Sequence, residues 1–364
     1  MNGVERTIGE TDGGSLVVGQ LPEGCRLCIR GAKLVLLVTG LCKAGCYYCP
    51  LSKKRMGIDV VFADEVFVRN DEDILKEGGL IDAEGAGITG GDPLIVPKRT
   101  IEYIKLLKKS FGADFHIHLY TSGSEATKEL LRNLAEVGLD EIRFHPNKND
   151  WEKIAWATDT SMVVGAEMPA IPGNTKGLKD LILYLDDVGA NFLNLNELEF
   201  SETNAAALKK RDFKLKENSI AAVEGSEEMA LEILHWASPK TELNLHYCPA
   251  SLKDGVQFKN RLIRKARNVV KPFEEITEEG LLVKGIIYSD EASLEDLQFI
   301  KRLLIRRYDV PTSMIEIDIN GRSISTAWHI AEDVAKDFKK RGFKVAIVEE
   351  YPTEDRFRTT LTPI

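Results

Sequence analysis

The sequence predicts an α/β fold built on a parallel sheet, and three observations carry that prediction. Short apolar segments alternate with stretches of helical periodicity from residue 34 to 248, and repeated β-α units imply parallel strands joined by helical crossovers. The strand-like segments number seven, too few for a closed eight-fold barrel. Several place polar residues at every second position, so one face of the sheet is polar and the other apolar.

The strands are expected at 34–38, 86–89, 115–120, 141–145, 162–167, 192–199 and 242–248, and the helices at 71–77, 99–110, 125–137, 150–157, 177–188 and 226–237. Parity then assigns faces. On the third strand Phe115, Ile117 and Leu119 meet the helices, which turns His116, His118 and Tyr120 inward. On the fourth, Ile142 and Phe144 face out and Arg143 and His145 face in. The sixth directs Asn194 and Asn196 inward, the seventh Asn244, His246 and Cys248. A packed barrel interior is dominated by branched apolar side chains. This one would collect four of the six histidines, an arginine and several amides, and buried polar groups are costly without partners or a purpose. The expected lumen holds a ligand.

At 364 residues there is room for this domain and a smaller one. Four segments are expected: an N-terminal extension (1–30), the sheet domain (31–252), a basic helical linker (253–278) and a small α/β appendage (279–364). The appendage reads strand 281–288, helix 293–307, strand 314–319, helix 325–341 and strand 343–350, then a tail. It contains no cysteine, which points to docking or dimer contact rather than chemistry. Acidic residues exceed basic ones by nine, which excludes a general nucleic-acid or membrane-surface binder. Residues 253–271 run against that balance with seven basic residues and one acid, a charge suited to steering a phosphate, an RNA or an acidic protein. The first ten residues lack the apolar core of a secretory signal, and no run reaches the ~20 apolar residues of a membrane span. The expectation is a cytoplasmic protein without membrane contact, whose cysteines stay reduced and serve metal or chemistry.

Three of the six cysteines, Cys42, Cys46 and Cys49, stand four and three positions apart in the loop after the first strand. Such a loop can wrap thiolates around one iron–sulfur cube, and since a cube takes four ligands, one iron stays open. A structural zinc site is the competing reading, although its usual second CxxC pair is missing nearby.

The spacing, with Tyr48 just before the last cysteine, resembles the signature of the radical S-adenosylmethionine (radical SAM) enzymes. Thr89-Gly90-Gly91-Asp92-Pro93 is similar to the Gly-Gly-Glu-Pro element of that family, with Asp92 in place of the usual Glu. Tyr120-Thr121-Ser122-Gly123 and Met168–Asn174 are similar to turns of its pyruvate formate-lyase-activating-enzyme-like branch. The resemblance covers roughly residues 25–250. It implies a partial (β/α)6 barrel and a [4Fe–4S] cluster on Cys42, Cys46 and Cys49. It also implies SAM contacts from Tyr48, Thr89, Gly90, Gly91 and Asp92, with the Thr121 and Ser122 hydroxyls reaching the ribose. The implied chemistry is reductive cleavage of SAM to a 5′-deoxyadenosyl radical, fed by an external one-electron donor such as ferredoxin or flavodoxin, and hydrogen abstraction from a substrate in the lumen.

Around that centre the expected substrate-gripping residues are Asn194, Asn196, Glu197 and Glu199, and the candidate catalytic groups are Arg143, His145, His246 and Cys248. Cys25, Cys28 and Cys248 could share a second iron–sulfur cluster, or a zinc completed by His246. For the three to meet, the N-terminal segment is expected to fold over the barrel mouth. Alternatively Cys248 acts alone as a hydrogen-atom donor. The sequence does not identify the substrate; a protein, as for an activase, is one expectation, and an RNA or a nucleotide is the alternative. The other class of reading is an iron–sulfur or zinc binding protein without turnover.

Overall fold

Alternation of buried and inward-facing residues produces seven parallel strands in the computed structural model, which describes residues 6–11 and 13–364. They are β1 (Lys33–Leu37), β2 (Gly85–Thr89), β3 (His116–Thr121), β4 (Glu141–Phe144), β5 (Val163–Ala170), β6 (Phe192–Glu197) and β7 (Asn244–Cys248). They lie side by side in chain order. β1 and β7 do not pair with each other, so the barrel is open, and each edge is covered by a short antiparallel hairpin. At the β7 edge the hairpin is Ile8–Glu10 with Leu16–Val18, and Val17 pairs with His246. At the β1 edge it is Phe62–Ala63 with Val66–Phe67. Edge strands left bare would invite pairing with other chains.

Helices α2 (Asp71–Leu80), α3 (Pro97–Phe111), α4 (Lys128–Glu136), α5 (Glu152–Thr158), α6 (Thr175–Asp187) and α7 (Ser226–Ala237) follow the first six strands, giving six β/α units and a seventh strand. Local signals fix their starts: the Asn70 side chain accepts from the Glu72 and Asp73 amides, and the Asp73 carboxylate accepts from the Asn70 amide in return. Their apolar stripes pack on the outward residues of the sheet, including Ile117, Leu119, Ile142, Phe144, Leu193, Leu195 and Tyr247, all in one continuous core.

The N-terminal segment departs from expectation. It does not cross the mouth. Helix α1 (Glu23–Ile29) enters the lumen from the opposite end, against the starts of the strands. The Gly24 amide donates to Glu141 Oε2 at 3.3 Å, and Leu27 lies against Gly85, the first residue of β2. A glycine at 24 is required by contact, because a Cβ there would sit 2.6 Å from the Arg143 guanidinium and closer still to His118. Both neighbours are buried and bonded. Gly24→Ala is therefore expected to cost about 1–3 kcal/mol by overpacking, visible as a lowered thermal midpoint.

The chain divides into two compact units at Phe258/Lys259. The basic helix Lys259–Val269 thus belongs to the second unit, where a linker was expected. That unit is an antiparallel sheet in the order Glu316–Asp318, Ser323–Thr326, Leu282–Tyr288, Lys344–Glu350, Arg358–Pro363. Helices Leu294–Tyr308 and Trp328–Lys340 supply its core through Leu297, Ile300, Leu304, Val334 and Phe338. The expected tail forms a strand, and the start of the last expected helix is the strand Ser323–Thr326.

Candidate active site

The loop from Thr39 to Ile58 leaves β1 at its C-terminal end and folds back on itself, the Gly40 amide bonding to the Ile58 carbonyl at 2.9 Å and the Gly57 amide to the Gly40 carbonyl at 2.8 Å. Cys42, Cys46 and Cys49 all line one cavity of about 320 Å³ together with Tyr48, Gly91, Thr121, Ser122 and His145. The Ala44 amide donates to Cys42 Sγ at 3.4 Å. From behind, Asn204 Nδ2 holds the Tyr48 carbonyl at 2.9 Å and the Thr203 hydroxyl holds that of Cys49 at 3.3 Å. Tyr48 bridges this loop to the barrel. Its hydroxyl and His145 Nε2 are 2.7 Å apart, and His145 Nδ1 lies 2.9 Å from the Glu167 carbonyl. A carbonyl can only accept, so Nδ1 carries the proton and Nε2 accepts from Tyr48. Burial holds the His145 imidazole neutral, below its usual range.

Gly90 and Gly91 have a reason beyond ligand approach. The Gly91 amide donates to the Thr39 carbonyl and the Asp92 amide to the Leu41 carbonyl, each at 2.7 Å, so two loop backbones pack directly on each other. Gly90 has φ +150°, and a Cβ on either glycine would collide with the Thr39–Leu41 carbonyls. Asp92, fully buried, locks the next loop to this one. Its carboxylate accepts from the Leu94 amide (3.0 Å), the Thr121 hydroxyl (2.8 Å), the Ser122 amide (3.1 Å) and the Ser122 hydroxyl (2.5 Å). The Thr121 and Ser122 hydroxyls donate to Asp92, which leaves their oxygens, at the cavity wall, as acceptors toward a bound ligand. Asp92 is a positioning residue whose side chain ties two loops together. Asp92→Asn turns an acceptor into a donor facing buried donors, and each group so stranded costs about 1–3 kcal/mol. The expected result is a SAM dissociation constant raised about tenfold or more, measured by equilibrium binding.

Toward the barrel floor a second cavity of about 550 Å³ is lined by Cys25, Cys28, Lys33, Thr89, His118, Tyr120, Arg143, Glu167, Asn194, Asn196, His246, Cys248, Lys253 and Gln257. It shares Pro50 and Tyr120 with the cysteine cavity. Arg143, 2% exposed, is its electrostatic centre. Nε donates to Glu141 Oε1 at 2.5 Å, and Nη1 to Glu167 Oε2 at 2.8 Å and to the Tyr120 hydroxyl at 3.3 Å. Nη2 reaches Cys25 Sγ at 3.4 Å. Glu167 is further held by Asn194 Nδ2 at 3.2 Å and Asn196 Nδ2 at 2.8 Å. Burial, the largest single influence, would push both carboxyls up, but Arg143 together with Lys33 and His116 at Glu141, and with the Asn196 and Asn194 amides at Glu167, holds both below the usual carboxylate range. Lys33 pairs with His118, and burial pushes its ammonium down to about 8. Burial likewise drives His246 down to about 4, Cys25 up to about 11 and Cys248 up to about 12.

Most inward assignments from strand parity match this arrangement, with two adjustments, and two of the expected substrate-gripping residues lie outside the lumen lining. His116 sits in the floor beside Glu141 at 3.6 Å and Lys33 at 3.5 Å, outside the residues lining the lumen. Asn244 ties the N-terminal segment down by accepting from the Gln20 amide at 2.8 Å. Glu197 is not a lumen group: its carboxylate accepts from the Ala250 amide at 2.8 Å and from Lys216 at 3.2 Å on the far face. Glu199 is paired with Lys253 and is likewise not among the lining residues. Lys33, Glu141, Glu167 and Lys253 were not singled out from the sequence. An acid inside the apolar run Val163–Ala170 was the signal for Glu167. Among the described residues no three His, Cys, Asp or Glu side chains are drawn into metal-holding geometry, in either cysteine trio.

The radical SAM superfamily model matches residues 36–160, which hold both the cysteine loop and the Gly90–Gly91 turn. A protein of Methanocaldococcus jannaschii carrying the provisional name of a glycyl-radical enzyme activating enzyme is 40% identical over 361 residues, covering 95% of this chain and 93% of its own. The chain belongs to the radical SAM superfamily. That relative sets it in the branch resembling pyruvate formate-lyase-activating enzymes, and membership implies SAM and a [4Fe–4S] cluster. Residues 280–364 match a domain of unknown function, DUF8061. Among solved structures, Streptococcus suis SuiB bound to its precursor peptide SuiA has a TM-score of 0.43 at 11% identity, covering 66% of this chain and 58% of that one. Methylornithine synthase has a TM-score of 0.41 at 12% identity, covering 62% and 72%. Both likenesses are distant. Among the described residues no helix is long and apolar enough to cross a membrane.

Proposed function

We propose that this radical SAM enzyme abstracts a hydrogen atom from a substrate group seated in the polar lumen, and that the substrate is a protein, as for an activase. The carrying observation is the adjacency of the two cavities, which meet at Pro50 and Tyr120. Cys42, Cys46 and Cys49 fit the cluster: three thiols on one loop line one cavity and leave a corner for an outside ligand. Bound there, the cluster would supply the electron that cleaves SAM to methionine and a 5′-deoxyadenosyl radical. The chain's own residues do the rest. Asp92 fixes the cavity wall, the Tyr48–His145 bond holds the loop to the barrel, and α1 closes the floor against water. Arg143, paired with two carboxylates, acts as a positioning residue.

The protein reading is favoured by the name of the 40% identical relative. An RNA substrate is disfavoured by the basic stretch itself, because Lys253 is paired with Glu199, Lys271 with Glu316, and Lys265 is buried. The test is addition of SAM and a low-potential reductant to anaerobically reconstituted protein, with ferredoxin or flavodoxin as the expected physiological donor. 5′-Deoxyadenosine is the expected product. An intact cluster without it would return the chain to the non-catalytic class. A glycine-centred radical signal on a partner protein supports the activase reading, while RNA retention lost on neutralising Lys259, Arg261 and Arg264 would overturn it.

A further inference from the structure

We propose that Cys25, Cys28 and Cys248 form a second thiolate site inside the lumen, holding a thiophilic metal centre. Helical spacing of three puts Cys25 and Cys28 on one side of α1, and both line the lumen that Cys248 enters from the end of β7. No disulfide joins any of the six cysteines. Three thiols on two elements far apart in sequence therefore line one cavity.

A second observation points to a ligand at the same place. His246 lies two residues before Cys248, on the same face of β7, and is 2% exposed. Neither ring nitrogen has a partner, and neither does Oδ1 of Asn194, which pairs with His246 in register. A buried polar group left unsatisfied costs about 1–3 kcal/mol, so an orphaned imidazole beside three thiols is a group waiting for an acceptor of its lone pair. His145, by contrast, has both nitrogens bonded.

N–H donors face two of the three sulfurs. Arg143 Nη2 and Asn194 Nδ2 aim at Cys25 Sγ from 3.4 and 3.3 Å, and Gln257 Nε2 aims at Cys248 Sγ from 3.8 Å. N–H donors of this kind orient ligands and stabilise metal-bound thiolate. As with Cys42, Cys46 and Cys49, the three thiols are not drawn into metal-holding geometry, so binding would have to bring them together. Two centres share this ligand chemistry: a zinc ion completed by His246, or an iron–sulfur cluster with one iron open to the lumen.

The assignment does not depend on SAM cleavage, and its test avoids it. The full-length C42A/C46A/C49A variant, purified anaerobically, is expected to retain either about one zinc per chain or iron with acid-labile sulfide. Adding C25S, C28S and C248S should lower that metal to background. Adding H246A instead should weaken zinc retention by at least about tenfold and leave a cluster in place, which tells the two centres apart. A thiolate-to-metal charge-transfer band on titrating the stripped C42A/C46A/C49A variant with Co²⁺ gives a second readout with the proposed ligands intact. Metal content at background in a C42A/C46A/C49A variant of native secondary structure, or metal that survives loss of all three lumen thiols, overturns the proposal. That failure would leave deoxyadenosine formation by the wild type untouched.

Discussion

Replacing any one of Cys42, Cys46 or Cys49 by alanine is expected to reduce 5′-deoxyadenosine formation to the level seen without reductant. Three ligands are the minimum for a cube that keeps one iron open, so no member of the trio is spare. The loss should be chemical and not structural. Cys42 is exposed and Cys46 and Cys49 are half-buried, while the loop is held by backbone bonds from Gly40 and Gly57 and by Asn204 and Thr203 from behind. Surface substitutions of this sort change stability by about 0.5 kcal/mol or less, so the thermal midpoint of each variant should stay near that of the wild type. Tyr48→Phe, which removes the hydroxyl's bond to His145 and its contact with the Cys46 thiol, should weaken activity without abolishing it. Persistent SAM cleavage by a single-cysteine variant would remove the trio from its proposed role.

The sequence revealed the sheet and its polar face because β-alternation is local. On β3, β4, β6 and β7 the apolar partners of each strand leave one choice for the face of His118, Arg143, Asn196 or Cys248. Harder to read was whatever depends on meetings across the barrel. Helix α1 is a seven-residue segment containing a glycine, too short for periodicity to announce, and its place follows from the absence of a Cβ at Gly24. Glu167 is the lone charge in an apolar run that also carries Gly165 and Pro169; its meaning comes from Arg143, two dozen residues away. Asp92 stood in the sequence as an implied SAM contact, whereas its four donors include Thr121 and Ser122 from another loop. The basic run illustrates the reverse error. Counted as charge it looked available, but in space two of its lysines are paired and a third is buried.

Arg143→Met should be the most destabilising single change in the lumen. Removing one partner of a buried ion pair costs about 3–5 kcal/mol, because the charge left behind is uncompensated; here two carboxylates lose the same guanidinium. Lys33 remains near Glu141, and Glu167 keeps its bonds from Asn194 and Asn196 but no cation at contact distance. The pH dependence gives the sign. In the wild type both folded carboxyls lie below the usual range, so they add stability that is complete above the unfolded value of about 4.5 and is lost as pH falls through the folded values. Without Arg143, burial prevails and raises Glu167 above its unfolded value. Its contribution is then greatest in acid and is lost as pH rises through the raised value. The variant should therefore gain thermal stability relative to wild type as pH is lowered from 8 to 5. Adding Glu167→Gln should restore about 0.5–3 kcal/mol, the range expected for contacting residues, and flatten that profile. A uniform loss at every pH, with no rescue by the glutamine, would show that Arg143 serves packing alone and that the lumen is not organised around its charge.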